Sequence, residues 1–471
     1  MIFVDRREEM ARLERLMASR EGGLAVLHGR RRLGKTRLLL EWSSRHAGLY
    51  AVADQSAAEI QRRYFADCVS QRIAGFGDVE YRDWNGLLVR LAREASALAW
   101  RGPIIFDELP YLVASSPELP SVLQRWIDHD ARASRLVIAV AGSSQRMMQG
   151  LVLSKDAPLY GRARELLEVR PLDAAHLTDV FARPDPAELV GLYAAWGGVP
   201  RYWELAVDLE GDARSQVEHL VLDPLGPLHR EPDRLLLEDI PPAVEVRPIL
   251  DAIGAGAHRV SEIAGRIGRP PTSMARPLER LVGMGLVRRE IPFGEPERKS
   301  RKSLYVIDDA FFRLWFRVVA PHRGPLAAAT RRGRLALLKR YWNDLVSRAW
   351  EDLCRLRLPR LADETPLGRL GPWLPASRWW SGTAAEWDIV SESESGGTLL
   401  LAEAKWSAQP FGGVPLARVR AELHAKPPPP LPRRYSGHRV VRAIFVPAVE
   451  RSRPTREDEP LIVSCADLLQ G

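Results

Sequence analysis

Cysteine is nearly absent from this 471-residue chain: Cys68, Cys354 and Cys465 are far apart and share no motif spacing. That excludes a disulfide-stapled scaffold and a cysteine-based zinc module, and it suits a reducing compartment. No apolar run approaches the ~20 residues a membrane helix needs, and the acidic, arginine-mixed N-terminus lacks the apolar core of a secretory signal. A cytoplasmic protein with no membrane partner is the expectation. Lysine is scarce as well, so arginine supplies nearly all the basic residues. The formal charge of +8 and pI near 9.5 suit a nucleic-acid binder, but an arginine-, alanine- and proline-rich profile also follows from a GC-rich genome. Local clusters therefore carry more weight than the total. Also missing are an internal repeat, a dinucleotide fingerprint, a Ser/His/Asp triad and a His/Cys cluster. What is there is apolar mass, 46% of residues, enough for roughly two to four globular domains.

One motif dominates. Gly29-Arg30-Arg31-Arg32-Leu33-Gly34-Lys35-Thr36 is a full GxxxxGK[ST] phosphate loop. Gly23 to His28 before it reads as a short buried strand, and Arg37 to Trp42 after it reads as the start of a helix. In that setting backbone N–H groups close around phosphate oxygens, and the helix N-terminus adds positive potential. Lys35 would reach the β/γ-phosphates, Thr36 would ligate Mg²⁺, and the segment Gly29 to Arg37 would form the binding surface. Nucleoside triphosphate binding follows.

Pro103-Ile-Ile-Phe-Asp107-Glu108 is an apolar strand ending in two carboxylates. Beside the phosphate loop, Asp107 would hold Mg²⁺ and Glu108 would polarise the attacking water. Leu136 to Ala141 is a third strand. It ends at Gly142-Ser143-Ser144, where Ser143 either contacts the γ-phosphate or simply caps the next helix. Arg162 is a candidate arginine finger or phosphate sensor, in cis or on a neighbouring subunit; a surface arginine in an arginine-rich chain is the competing account.

The opening box Phe3 to Leu13 (with Arg6 and Glu9), the phosphate loop, Asp107-Glu108, Gly142-Ser143-Ser144, Leu159-Tyr-Gly161-Arg162 and Gly197-Gly198-Val-Pro200-Arg201-Tyr202 occur in that order over about residues 1–235. This set resembles the archaeal-type P-loop ATPases, close to the STAND and origin-recognition branches of the AAA+ class. The resemblance implies ATP rather than GTP, with Pro200 in a helical lid near the nucleotide. It also implies weak or switch-like hydrolysis.

Farther along, Val260 to Ile267 and a second helix through Leu278 and Val282 are followed by strands Leu286 to Ile291 and Ser303 to Ile307. In outline this is a winged helix-turn-helix. Arg276 and Arg280 on the second helix, with Arg298, Lys299, Arg301 and Lys302 on the wing, would contact double-stranded DNA. Protein docking is the competing use of such a module.

The C-terminal region pairs Glu386-Trp-Asp388-Ile-Val390 with Leu399-Leu-Leu-Ala-Glu403-Ala-Lys405 across a Gly396-Gly397 turn. If Ser395-Gly396 are central, positions summing to 791 face each other and Asp388 lies opposite Glu403; a slip to Gly396-Gly397 puts Asp388 opposite Lys405. Asp388 and Glu403 would hold Mg²⁺ and Lys405 would orient water. With Glu351 on the preceding helix, this resembles the PD-(D/E)xK nucleases, although Trp387 stands where their proline would be. A solvated salt-bridged hairpin would carry the same residues.

The expected fold class is α/β: a P-loop parallel sheet over 1–170, a helical lid over 171–240, a winged helix-turn-helix over 241–310, a helical connector over 311–345, and a second α/β, restriction-endonuclease-like domain over 346–471. Two function classes stay open. One is an ATPase that couples nucleotide state to DNA binding and cleavage. The other is a non-cleaving switch that binds DNA, a protein partner or a second copy of itself.

Overall fold

The computed structural model describes residues 3–182, 184–239, 243–297, 302–382, 384–450 and 459–470. The chain divides into two compact units, one of residues 2–172 with 199–201, the other of residues 173–198 with 202–471.

The first unit is built on five parallel strands: β1 (Gly23–His28), β2 (Leu49–Val52), β3 (Ile104–Asp107), β4 (Val137–Gly142) and β5 (Ala163–Glu168). Their order is β2-β3-β4-β1-β5. The central strands are apolar on both faces because helices cover both, so β3 and β4 are buried along their whole length. One sequence expectation needs correcting here. β3 does not lie beside the loop strand, since β4 runs between them. At about 4.8 Å per strand the offset is small, and the ends of β1, β4 and β3 still share one edge. The helix Asp83 caps at Trp84–Ala97 buries Trp84, Leu87, Leu88 and Leu91 against this sheet.

The second unit opens with helices. Pro186–Trp196 starts on an Asp185 side-chain cap, whose Oδ1 accepts the Glu188 N–H at 2.8 Å. Then come Ala243–Gly254, Val260–Ile267 and Ala275–Gly283, followed by an antiparallel pair, β6 (Val287–Glu290) and β7 (Leu304–Ile307). Phe311, Phe312, Trp315 and Phe316 are buried, stacking among themselves and on Trp196 and Tyr202. The long helix Arg331–Arg357 leads into a mixed sheet of order β12-β11-β10-β9-β8. Its strands are β8 (Ser377–Ser381), β9 (Ala384–Glu392), β10 (Thr398–Ala404), β11 (Arg439–Val446) and β12 (Leu461–Ser464). β8, β9 and β10 are antiparallel; β10, β11 and β12 are parallel. The helix Arg331–Arg357 packs on β9 and β10, while Val419 and Leu423 of the helix Gly413–Ala425 join the core of Trp387, Leu401 and Ile444.

Among the described residues, no helix is long and apolar enough to cross a membrane.

Candidate functional site

The phosphate loop leaves β1 at its C-terminal end and feeds the helix Lys35–Arg45. Gly29 has φ +140°, and a Cβ there would lie 2.5 Å from the Val169 carbonyl oxygen, so neither the angle nor the space admits another residue. Gly34 has φ +87°, with the Pro200 ring against it. Lys35 is buried and its Nζ donates to the loop's own carbonyls, 2.6 Å to Gly29 and 2.9 Å to Arg30. An ammonium folded onto carbonyls at this point stands where phosphate oxygens would otherwise receive it.

Thr36 Oγ1 donates to Asp107 Oδ2 at 2.8 Å, and the Glu108 N–H donates to Asp107 Oδ1 at 2.9 Å. Glu108 sits in the left-handed region, φ 55°, and its carboxylate accepts the Ser143 hydroxyl at 2.7 and 3.0 Å. The ends of β1, β3 and β4 thus bring Lys35, Thr36, Asp107, Glu108 and Ser143 to one place. A hydroxyl and a carboxylate side by side are hard oxygen donors of the kind Mg²⁺ prefers.

Two further residues shape this edge; motif reading misses Tyr50 and gives Arg6 of the opening box no contact. Tyr50, on β2, donates its hydroxyl to Asp107 Oδ2 at 2.5 Å; burial and the Asp107 charge push the phenol well above its usual range. Arg6, buried near the N-terminus, donates to the Leu33 carbonyl at 2.8 Å and the Arg170 carbonyl at 2.6 Å, with Glu9 at 2.9 Å fixing its other nitrogen. The opening box therefore braces the phosphate loop from behind. Arg31 reaches the Tyr111 hydroxyl at 2.9 Å, Arg32 adopts a left-handed φ of 68°, and Arg37 is exposed on the helix.

Arg162 does not join this group. It precedes β5, whose Ala163 pairs with Leu24 at the start of β1, on the edge of the sheet away from the phosphate loop. Its guanidinium is held by Asp128 at 2.8–3.0 Å and by the Pro158 carbonyl at 3.0 Å. A six-residue strand separates it from the loop, about 17–20 Å, so contact with phosphate in cis is ruled out by reach.

In the second unit the hairpin pairs Leu399 with Glu392 and Ala402 with Ile389, the register in which positions sum to 791. Asp388 accordingly arrives beside Glu403, and its Oδ2 accepts the Ala404 N–H at 3.1 Å. Lys405 Nζ donates to Glu403 Oε2 at 2.9 Å. Glu403 Oε1 is taken by Lys426, which also donates to the Glu386 carbonyl and lies 4.6 Å over the Trp387 ring. Glu351 is close enough for burial and the Asp388 charge to push its carboxyl up to about 7, against the pull of Arg348, Arg355 and Arg378. Its Oε2 is buried without a hydrogen bond. Burial and Asp388 also raise Glu403; for Lys405 burial acts downward, and the Glu403 carboxylate more than reverses it. Among the described residues, no group of three or more His, Cys, Asp or Glu side chains stands as a metal cage.

Behind this cluster lies a charge network. Asp352, buried on the helix Arg331–Arg357, pairs with Arg288 of β6, with Arg313 at 2.6 Å and with Arg355 at 2.6 Å. Glu290 of β6 pairs with Arg288 at 2.6 Å, Arg378 at 3.3 Å and Arg348 at 3.5 Å. Burial works against its charge, but the arginines hold its carboxyl down at about 2. The β6–β7 pair is thereby fastened to the elements that carry Glu351 and Asp388. Of the basic residues expected on DNA, Arg276 is exposed, Arg280 is half-buried, and Lys302 pairs with Glu295 at 2.8 Å. Arg298, Lys299 and Arg301 lie outside the described residues.

Parallel strands deliver a phosphate loop and an Asp-Glu pair to one edge, giving an α/β domain with a sheet like that of the P-loop ATPases. Residues 3–204 match the family described as "ATPase domain predominantly from Archaea". Residues 315–417 match a second family, "Archaea bacterial proteins of unknown function". An uncharacterized protein of Methanocaldococcus jannaschii is 28% identical over 407 residues, which span 86% of this chain and 88% of the relative. Among solved structures, a Walker-type ATPase of Pyrococcus abyssi is 20% identical with a TM-score of 0.48, covering 67% of this chain and 96% of its own. The Aeropyrum pernix ORC2 protein is 13% identical with a TM-score of 0.43, covering 74% and 95%. At such scores these two likenesses add nothing to the topology described above.

Proposed function

We propose that this protein binds and hydrolyses ATP with Mg²⁺, and that nucleotide state governs how its second unit engages double-stranded DNA. The observation that carries the proposal is the convergence of Lys35, Thr36, Asp107, Glu108 and Ser143 on one sheet edge. Thr36 and Asp107 would hold the magnesium, which supplies charge neutralisation at the phosphates. Lys35 would move from the loop carbonyls to the phosphates, and Glu108, held by Ser143, would polarise the attacking water. Pro200 against Gly34 would bring residues 199–201 to the nucleotide, and the helices from 173 to 239 would act as its lid.

We read residues 243–310 as a winged helix and residues 346–471 as a PD-(D/E)xK-like domain. Arg276 and Arg280 would meet DNA phosphates together with Lys302, Arg298, Lys299 and Arg301. The Asp352 and Glu290 networks support joint movement of hairpin and second sheet, so that a DNA-binding element would carry Asp388, Glu403, Lys405 and Glu351 with it.

A second reading, a switch that engages DNA or a protein partner without cutting, is favoured by one observation: both oxygens of Glu403 are already claimed by lysines. Incubation of supercoiled plasmid with Mg²⁺ or Mn²⁺ and ATP separates the two. Cleavage that Asp388→Ala abolishes supports the nuclease; identical behaviour of wild type and variant leaves the non-cutting switch. Salt titration of DNA binding tests the shared part, because phosphate contacts give a steep slope in log affinity against log salt. A flat slope would remove DNA as the partner.

A further inference from the structure

The nuclease-like cluster of the second unit contains a residue that its D…ExK pattern does not include. Lys426 follows the helix Gly413–Ala425 and precedes the run Pro427 to Pro430. A residue before proline is driven out of the helical region, and Lys426 is extended, φ −69° and ψ 123°. The chain direction is thus fixed on both sides, by the helix and by the proline run. Arg442 clamps the same corner, donating to the Lys426 carbonyl at 3.0 Å and to the Leu423 carbonyl at the helix end. The side chain passes over the Trp387 face, and its ammonium ends on Glu403 Oε1 and the Glu386 carbonyl. Backbone, arginine clamp and indole together place one cation at one carboxylate.

Two of the three carboxylates around that point, Glu403 and Glu351, already face cations. Glu403 is 7% exposed and lies between the ammonium groups of Lys405 and Lys426, one on each oxygen. Asp388 spends Oδ2 on the Ala404 N–H, and three arginines face Glu351. A divalent cation bridging Asp388 and Glu403 would need a Glu403 oxygen that a lysine already holds, and would add two positive charges where Glu403 already meets two cations and Glu351 faces three. We infer that Lys426 is the resident cation of this site: its ammonium occupies the metal position beside Glu403 and keeps a divalent ion out while the helix–proline corner is in place. The inference rests on reading Asp388, Glu403 and Lys405 as a nuclease-like constellation. It also gives the proline run a task, that of aiming one side chain.

Mn²⁺ binding, followed by electron paramagnetic resonance on nucleotide-free full-length protein carrying Lys35→Ala to silence the phosphate site, tests this without reference to cleavage. The expected result is no Mn²⁺ at this site in that background. Lys426→Ala should create one site, or tighten an existing one by about tenfold or more, and Glu403→Gln should abolish it again. Lys426→Met, which keeps the apolar stem on Trp387, should behave like the alanine variant and guards against loss of packing; Lys426→Arg should stay metal-free. If the background protein already takes one Mn²⁺ that Glu403→Gln removes, and Lys426→Met does not change its affinity, the inference falls while the metal-site reading stands. If no variant takes Mn²⁺, both fall together.

Discussion

The two polar centres solve the same problem, how to keep carboxylates at the end of a buried strand, in opposite ways. At the phosphate loop the groups are held by single short bonds to hydroxyls and backbone: Thr36 and Tyr50 on Asp107, Ser143 on Glu108, and Lys35 on two carbonyls. None of these carboxylates is matched by a cation in those bonds. In the second unit, Glu403 meets two lysines, and Asp352 and Glu290 meet five arginines between them. Carboxylates held by neutral donors are arranged for a charged visitor, whereas carboxylates that meet their own counter-ions are complete without it. Motif content alone would rank the two as equals; the identity of their partners sets them apart.

The sharpest way to break this contrast is Asp352→Ala. It removes the buried carboxylate that Arg288, Arg313 and Arg355 share, and denaturant unfolding should show a loss of about 3–5 kcal/mol. A loss below about 1 kcal/mol would mean that solvent, not the carboxylate, satisfies those arginines. Next in size is Lys35→Ala. Calorimetric titration should show ATP affinity down on the order of a hundredfold, while the ligand-free melting temperature moves far less, because the Gly29 and Arg30 carbonyls that accept from Lys35 carry no net charge to strand. An unchanged affinity would end the claim that this edge binds nucleotide.

Acid–base behaviour provides a finer probe. The Glu351 carboxyl sits at about 7 in the folded chain against an ordinary 4.5, so the folded state holds its proton more tightly than the unfolded state. That contribution to stability is fully present below pH 4.5 and is lost as pH rises to about 7. Relative to Glu351→Gln, the wild type should lose roughly 2 kcal/mol across the window, read from unfolding at pH 4.5 and 7.5. Parallel curves would show that Glu351 is not close to the Asp388 charge in solution. The smallest effect is expected for Arg162→Ala. ATP affinity of the protein at high dilution should change less than about twofold, within the ±0.5 kcal/mol of a remote substitution. A larger loss would bring Arg162 back to the phosphates.

What could be read from the chain divides along physical lines. Gly29 to Thr36 was visible because a left-handed, side-chain-free turn before a helix leaves a local mark, and the 391–400 hairpin was visible because period-two alternation fixes register from the turn outward. The place of β4 between β1 and β3 left none, since parallel strands joined by helices do not announce their neighbours. Tyr50 on Asp107, Arg6 on Leu33 and Lys426 on Glu403 are bonds across 57, 27 and 23 positions, and only the folded chain brings them together. A proline after Lys426 was the one local hint, a sign that the chain is held stiff at that point. Arg162 shows the reverse limit: an arginine beside a glycine turn fits a phosphate contact in cis until strand polarity places it at the far edge.

Glu108 carries one more consequence. A branched or long side chain in the left-handed region costs on the order of 1 kcal/mol, which glycine or asparagine would recover at the same angles, φ 55° and ψ 42°. A heat-resistance screen run without an activity filter would therefore accept glycine or asparagine at this codon, and each such winner would have traded the carboxylate facing Ser143 for a more comfortable main chain. With Glu108 in its proposed role, thermal tolerance and turnover are set against each other at a single residue.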